Sequence, residues 1–285
     1  MTPGPLDPGA LGELLKRPRL EVFPVKGIEE EIAAHVPPGA TITITSSPSR
    51  GLDTTIELAA GLARQGFDVV PHLAARLVFD VGHLERILGT LREVGVRDAL
   101  VIGGDVKEPV GSFAGAFDLL TAMAQLDHDL QAIGIAGYPE SHPFISDEQT
   151  IEAMFDKAPL ATYIVSQLCF DPAVIAGWIA AVRERGVDLP VYIGMPGAVS
   201  RARLLRISTK IGVGESARFL RGHRSVIARL FLRGTYGSSN LINGLLTQLR
   251  DASSSVGGFH IYTFNELEKT ELWRRQTIER LGPAP

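Results

Sequence analysis

Residues 68–105 read DVVPHLAARLVFDVGHLERILGTLREVGVRDALVIGGD, and this stretch decides the fold. It opens on an apolar, β-branched run, Asp68–Leu73, that suits a buried strand. From His83 to Val94 the period changes. Leu84, Ile87, Leu88, Leu91 and Val94 recur at helical spacing around charged Glu85, Arg86, Arg92 and Glu93. Gly95 supplies a helix stop, and a second apolar run, Ala99–Gly103, follows. Strand, amphipathic helix and strand in so short a span make a parallel βαβ unit.

The same alternation extends in both directions. Further strands are expected at Leu20–Val25, Thr41–Ser46, Ala132–Tyr138, Thr162–Phe170, Pro190–Met195 and Gly258–Phe264. Pro172–Arg185 reads as a helix with proline in its first turn, and Gly66 and Gly186 precede the third and seventh strands. About eight strand–helix units in 285 residues predict an α/β fold, a (β/α)8 TIM barrel. The competitor is a doubly wound open sheet, but no G-x-G-x-x-G opens the first helix. Thr209–Ser255 breaks the rhythm and is expected to be an extra helical insertion between the seventh and eighth strands. One domain, 1–285, is expected, with residues 1–18 as a loose N-terminal leader rich in proline and glycine at its start.

Composition narrows the function. The chain is 45% hydrophobic and 21% charged, so it can build a core. A formal net charge of -4 argues against nucleic acid or an anionic membrane as the main partner. Cys169, the single cysteine, excludes an intramolecular disulfide framework, and its apolar setting suits packing better than a catalytic thiol. With no run of ~20 apolar residues and no signal-peptide pattern, a cytoplasmic protein is expected.

In such a barrel, chemistry belongs at the C-terminal ends of the strands. Glu21, in Leu20-Glu21-Val22-Phe23-Pro24, ends an apolar strand, where an unpaired charge costs several kcal/mol. It is either paired with a cation or kept ready to move a proton; polar ends on other strands favour the second. Thr45, His72, Tyr138, His142 and Asn265 fall at such ends. Asp105, after Gly103-Gly104, suits a bidentate partner such as an aminopyrimidine edge, or merely caps a turn. His72 alone is more often a satisfied core histidine. Two prolines bracket Tyr138–Pro143 as a rigid turn or a ligand clamp, and Gln167 in an apolar strand needs partners if buried. Arg201, Arg203, Arg206 and Lys210 form a solvated helix face or meet an acidic substrate tail. No H-x-x-H or C-x-x-C is present, so no metal is expected.

Six short runs occur in one order: E-V-F-P (Glu21–Pro24), P-H-L (Pro71–Leu73), G-D (Gly104-Asp105), Y-P-E-S-H-P (Tyr138–Pro143), S-Q-L-C-F-D (Ser166–Asp171) and F-H-I-Y-T-F-N (Phe259–Asn265). Together they resemble the methylenetetrahydrofolate reductase family of one-carbon metabolism. The resemblance implies reduction of 5,10-methylenetetrahydrofolate to 5-methyltetrahydrofolate with hydride from NADH or NADPH. It makes Glu21 the general acid, gives Asp105 and Gln167 to the folate, and sets Thr45, His72, Tyr138, His142, Lys157 and Gln167 around the nicotinamide. The usual member carries FAD. Here its arginine before Gly-Asp is Gly103, a second arginine beside Lys157 is Asp156, Thr-Tyr-Gly-Ala becomes Thr45-Ser46-Ser47-Pro48, and an arginine after the last run is Glu266. These departures disfavour FAD and point to direct hydride transfer. The alternatives are the same reaction through FAD, a methyl-tetrahydrofolate-dependent demethylase or methyltransferase, and a non-catalytic folate-binding module. No fingerprint separates NADH from NADPH, and the sequence is silent on oligomeric state.

Overall fold

The computed structural model describes residues 7–139, 147–169, 171–198, 238–249 and 256–282. Eight parallel strands close a barrel in chain order: β1 (Arg19–Val22), β2 (Thr41–Ile44), β3 (Asp68–Ala74), β4 (Asp98–Ile102), β5 (Ala132–Gly137), β6 (Tyr163–Ser166), β7 (Val191–Pro196) and β8 (Val256–Tyr262). Each lies on one of the eight expected runs; β1 and β6 stop three and four residues short of their expected C-terminal ends, and the others agree within two residues. The intervening helices are α2 (Ile28–His35), α3 (Asp53–Arg64), α4 (Val81–Glu93), α5 (Ala116–Met123), α6 (Asp147–Lys157), α7 (Pro172–Glu184) and α8 (Ser238–Gln248). A first helix α1 (Pro8–Lys16) precedes β1, and α9 (Leu267–Leu281) follows β8.

Alternation along the strands makes two cores. Outward residues such as Ile42, Ile44, Val69, Leu73, Val101, Ile193 and Phe259 pack under the helices. Helix α4 shows how: Leu84, Ile87, Leu88 and Leu91 are buried on one stripe, each contributing about 1.5–3 kcal/mol. Asp80 caps that helix, its carboxylate accepting from the His83 amide at 2.7 Å. Inward residues Val70, Leu100, Tyr163 and Val165 form a separate cluster in the lumen. Gly134 makes room there, since a Cβ would lie 2.4 Å from the Tyr163 ring. Among the described residues no helix is long and apolar enough to cross a membrane.

Two expectations need correction or stay outside the description. The N-terminal stretch is not loose over residues 8–16. Asp7 accepts from the Ala10 amide at 2.7 Å, Pro8 starts α1, and Leu11 and Leu15 are fully buried. Arg274 of α9 ties α1 down by donating to the Leu15 carbonyl at 2.7 Å. Proline and glycine near the start conceal this helix because its stability comes from burial of two leucines, not from propensity. The expected insertion at Thr209–Ser255 lies largely outside the described residues, as do Arg201, Arg203, Arg206 and Lys210. Within it, α8 is described, burying Leu241, Ile242 and Leu245 and packing on α7.

The barrel closes where β8 meets β1. Asn265 bridges the seam: its Oδ1 accepts from the Phe23 amide at 2.8 Å and its Nδ2 donates to the Phe23 carbonyl at 3.1 Å. Thr263 adds a short bond from its hydroxyl to the Glu21 carbonyl. Phe264 and Asn265 take positive φ values of 51° and 60°, an uncommon backbone that this double clamp holds. The expectation of Asn265 as a polar strand end is met, and its work is structural.

Candidate active site

The lumen holds two charged layers. In the lower one Arg19 donates to Asp98 at 2.9 Å and to the Tyr163 hydroxyl at 2.9 Å, while Tyr163 donates to Asp98 at 2.7 Å. The guanidinium also stacks on the Tyr163 and Tyr192 rings, 4.3 and 4.1 Å from their centroids. Burial opposes the Arg19 cation, yet Tyr163 and Asp98 outweigh it and raise its pKa above the ordinary arginine value. Burial lifts the Asp98 carboxyl while Arg19 pulls it back. Residues of β1, β4, β6 and β7 are thereby joined across the barrel.

Two residues further along β1, Glu21 points into the next layer. It is 8% exposed, and its Oε2 lies 2.9 Å from His260 Nε2 and 4.0 Å from His72 Nε2. Burial pushes the Glu21 carboxyl up to about 7, against a smaller downward pull from His72. Burial likewise lowers His72 to about 4 and His260 to about 3, so both imidazoles are neutral near pH 7. His72 Nε2, His260 Nδ1 and the Thr43 hydroxyl have no hydrogen-bond partner among the described residues. Polar atoms left open this deep cost free energy and mark a place kept for chemistry.

The other sequence-predicted residues distribute around the strand ends. Thr45 follows β2, its amide donating to the Val22 carbonyl at 3.1 Å. Asp105 is exposed just past β4, where Gly104 takes φ 90° and a Cβ would meet Ala74 at 3.2 Å. Tyr138 follows β5; burial first and the Asp105 carboxylate second raise its phenol. Tyr262 is raised by burial, then by Glu21 and Tyr138, so Asp105, Tyr138, Tyr262 and Glu21 form one electrostatically linked line. Gln167 follows β6, and its buried side-chain oxygen has no partner among the described residues. Lys157 stands apart. It sits in the last turn of α6, just before β6 begins, so chain direction carries it toward the opposite barrel end from Gln167. Burial lowers its pKa, against Asp156. His142 lies outside the described residues.

Three participants were not singled out in the sequence: His260, Tyr262 and Thr43. His260 sits in F-H-I-Y-T-F-N, and strand alternation puts it, with Tyr262, on the same face as the lumen residues. That period-two reading was the available signal. The expectation of no metal rested on local ligand spacing. Glu21, His72 and His260 nevertheless bring three ligand-type atoms within 4.8 Å from three separate strands. Spacing rules for one helix or loop do not register such a set.

Comparison with known proteins fits this geometry. The family profile described as methylenetetrahydrofolate reductase matches residues 26–276. Methylenetetrahydrofolate reductase 2 of Saccharomyces cerevisiae is 30% identical over 202 residues, covering 67% of this chain and 33% of the yeast protein. Methylenetetrahydrofolate reductase (NADH) 1 of Zea mays is 28% identical over 61% of this chain and 34% of its own length. The Arabidopsis thaliana protein of the same name is 25% identical over 61% and 34%. The chain spans about a third of the length of these relatives. With a profile match over most of its length and a lumen carrying the expected carboxyl, the chain belongs to the methylenetetrahydrofolate reductase family.

Proposed function

We propose that this chain reduces 5,10-methylenetetrahydrofolate to 5-methyltetrahydrofolate, taking hydride directly from NADH without a bound flavin. The observation that carries the reading is the Glu21 carboxyl, buried against two neutral imidazoles with its pKa raised to about 7. The substrate's one-carbon unit bridges two nitrogens. Glu21 gives its proton to the anilino nitrogen, the carbon–nitrogen bond there breaks, and an iminium carbon remains on the other nitrogen. Hydride from the dihydronicotinamide adds to that carbon, giving the methyl group and NAD+. A carboxylic acid poised near the working pH suits the first step. Asp105 takes the aminopyrimidine edge, and Gln167 offers its open amide oxygen to folate or nicotinamide. Thr45, His72 and Tyr138 serve the nicotinamide, and His260 orients the acid. NADH as donor is supported by the printed names of the maize and Arabidopsis relatives.

The residues present do not fit a flavin diphosphate in the family's manner. Gly103 provides no cation, and nothing lies within 4 Å of where its Cβ would stand. Ser46 commits its hydroxyl to the His72 carbonyl at 2.5 Å.

Steady-state kinetics and the absorbance spectrum test this reading. Direct transfer requires both substrates bound together with reacting carbons ~3–3.5 Å apart, so intersecting double-reciprocal lines and a colourless protein are expected. Parallel lines, or stoichiometric FAD in the purified protein, would replace direct transfer with a flavin relay. Demethylation without any nicotinamide would reassign the reaction.

A further inference from the structure

His260 touches both charged layers. Its Cα pairs with that of Arg19 across the β8–β1 ladder, while its Nε2 reaches the Glu21 carboxyl at 2.9 Å. The charged and titratable groups facing it are Arg19 and Glu21 from β1, His72 from β3 at 6.0 Å between centroids, and Tyr262 from its own strand at 4.9 Å. Its partner on β7 is Gly194, which brings no side chain. A single proton held by the Glu21–His260 pair has two positions. On oxygen it gives a neutral acid facing a neutral imidazole; on nitrogen it gives a carboxylate–imidazolium ion pair. Only the first can deliver a proton from Glu21.

We propose that Arg19 is a positioning residue that holds this shared proton on Glu21, because its fixed cation beside His260 penalises the imidazolium. The guanidinium stays charged and cannot swing away, since Asp98, Tyr163 and Tyr192 grip it from three other strands. Its counter-ion Asp98 stands on β4, across the barrel from β8, whereas Arg19 extends from β1 at the position paired with His260. The direction of the His260 titration agrees, with burial first and Arg19 second lowering it. The inference rests on Glu21 as the proton donor, which Glu21→Gln tests separately.

The experiment records kcat against pH and the imidazole nitrogen NMR shifts of His260. In the wild type His260 should read as neutral from pH 5 to 7, below and around its ordinary titration range; an imidazolium there overturns the proposal whatever the variants do. The double variant Arg19→Met/Asp98→Asn removes the ion pair as a unit, leaving neither charge buried alone. It should lower the kcat plateau, move the descending alkaline limb up by about one pH unit, and give His260 imidazolium character. Asp98→Asn alone keeps the cation and strips its counter-charge, so its limb should move down. Arg19→Lys should restore the wild-type limb. A lower kcat with the limb and the His260 signals unmoved would reduce Arg19 to a structural part of the barrel floor. If Glu21→Gln stays active, the proton-donor reading fails while the His260 measurement still reports where its proton sits.

Discussion

The two charged layers of the barrel lumen are built from similar parts and settled in opposite ways. In the lower layer the Arg19–Asp98 pair is closed: cation, anion and tyrosine hydroxyl each meet partners at 2.7–2.9 Å. In the upper layer Glu21 has one close imidazole at 2.9 Å and another at 4.0 Å, and among the described residues atoms of His72, His260 and Thr43 have no hydrogen-bond partner. Charge buried with full partnering holds strands together. Charge buried with partial partnering keeps a proton available, because its neutral form is the favoured one. The comparison separates stability from chemistry within a few ångströms of barrel wall.

Glu21→Gln should break the comparison most visibly. The amide cannot donate the proton, so kcat should fall ~10²–10⁴-fold, while thermal stability at pH 8 should hold or rise. Near-normal turnover would make Glu21 a structural group and remove it from the proton transfer. Asp98→Ala should do the reverse. It strands the Arg19 cation in the lumen and should cost about 3–5 kcal/mol of unfolding free energy in denaturant titrations. A loss below about 1 kcal/mol, the level of a surface pair, would show that the lower layer is not a buried clamp.

The pH dependence of stability sharpens the same contrast. Glu21 has a folded pKa of about 7, above its ordinary 4.5, so the folded state binds this proton more tightly. Its contribution is fully present below about 4.5 and is lost as pH rises through about 7, a swing of about 3 kcal/mol. His72 and His260 act in the opposite sense: their folded pKa values are lowered, and their contribution is lost as pH falls below 6.5. Melting curves of wild type and Glu21→Gln from pH 5 to 8 should therefore converge or cross as pH rises. Curves that stay parallel would contradict the raised carboxyl. Turnover should follow the same group and decline as pH rises through about 7. The smallest effect is expected outside both layers. Asp105→Asn, at the exposed rim, should weaken folate binding by about 1–3 kcal/mol and leave NADH binding unchanged, as read by calorimetry with each ligand.

Strands and helices were legible because each carries its own period: alternating or continuous apolar runs for strands, the Leu84–Leu91 stripe for α4. Glu21 was legible because a carboxylate in so apolar a run has few explanations. His260 was harder, since its role depends on register with β1, which no local pattern encodes. Helix α1 was missed for a related reason: Leu11 and Leu15 gain their stability from α9, far along the chain. Lys157 shows the converse limit. A motif match gave it to the nicotinamide, but motif order does not say which end of a helix faces the mouth.

The seam between β8 and β1 also governs the order in which the molecule can become active. Glu21 and His260 are separated by 239 residues, and the Asn265–Phe23 clamp spans 242. Contacts of such sequence separation form late, because loop-closure entropy must be overcome before they return anything. A chain emerging from the ribosome can fold its local βαβ units early, but the Glu21–His260 contact proposed to handle the proton does not exist until the eighth strand docks. Refolding followed by far-ultraviolet circular dichroism and by recovered turnover should therefore give two separate time courses, with secondary structure first and activity with the last strand.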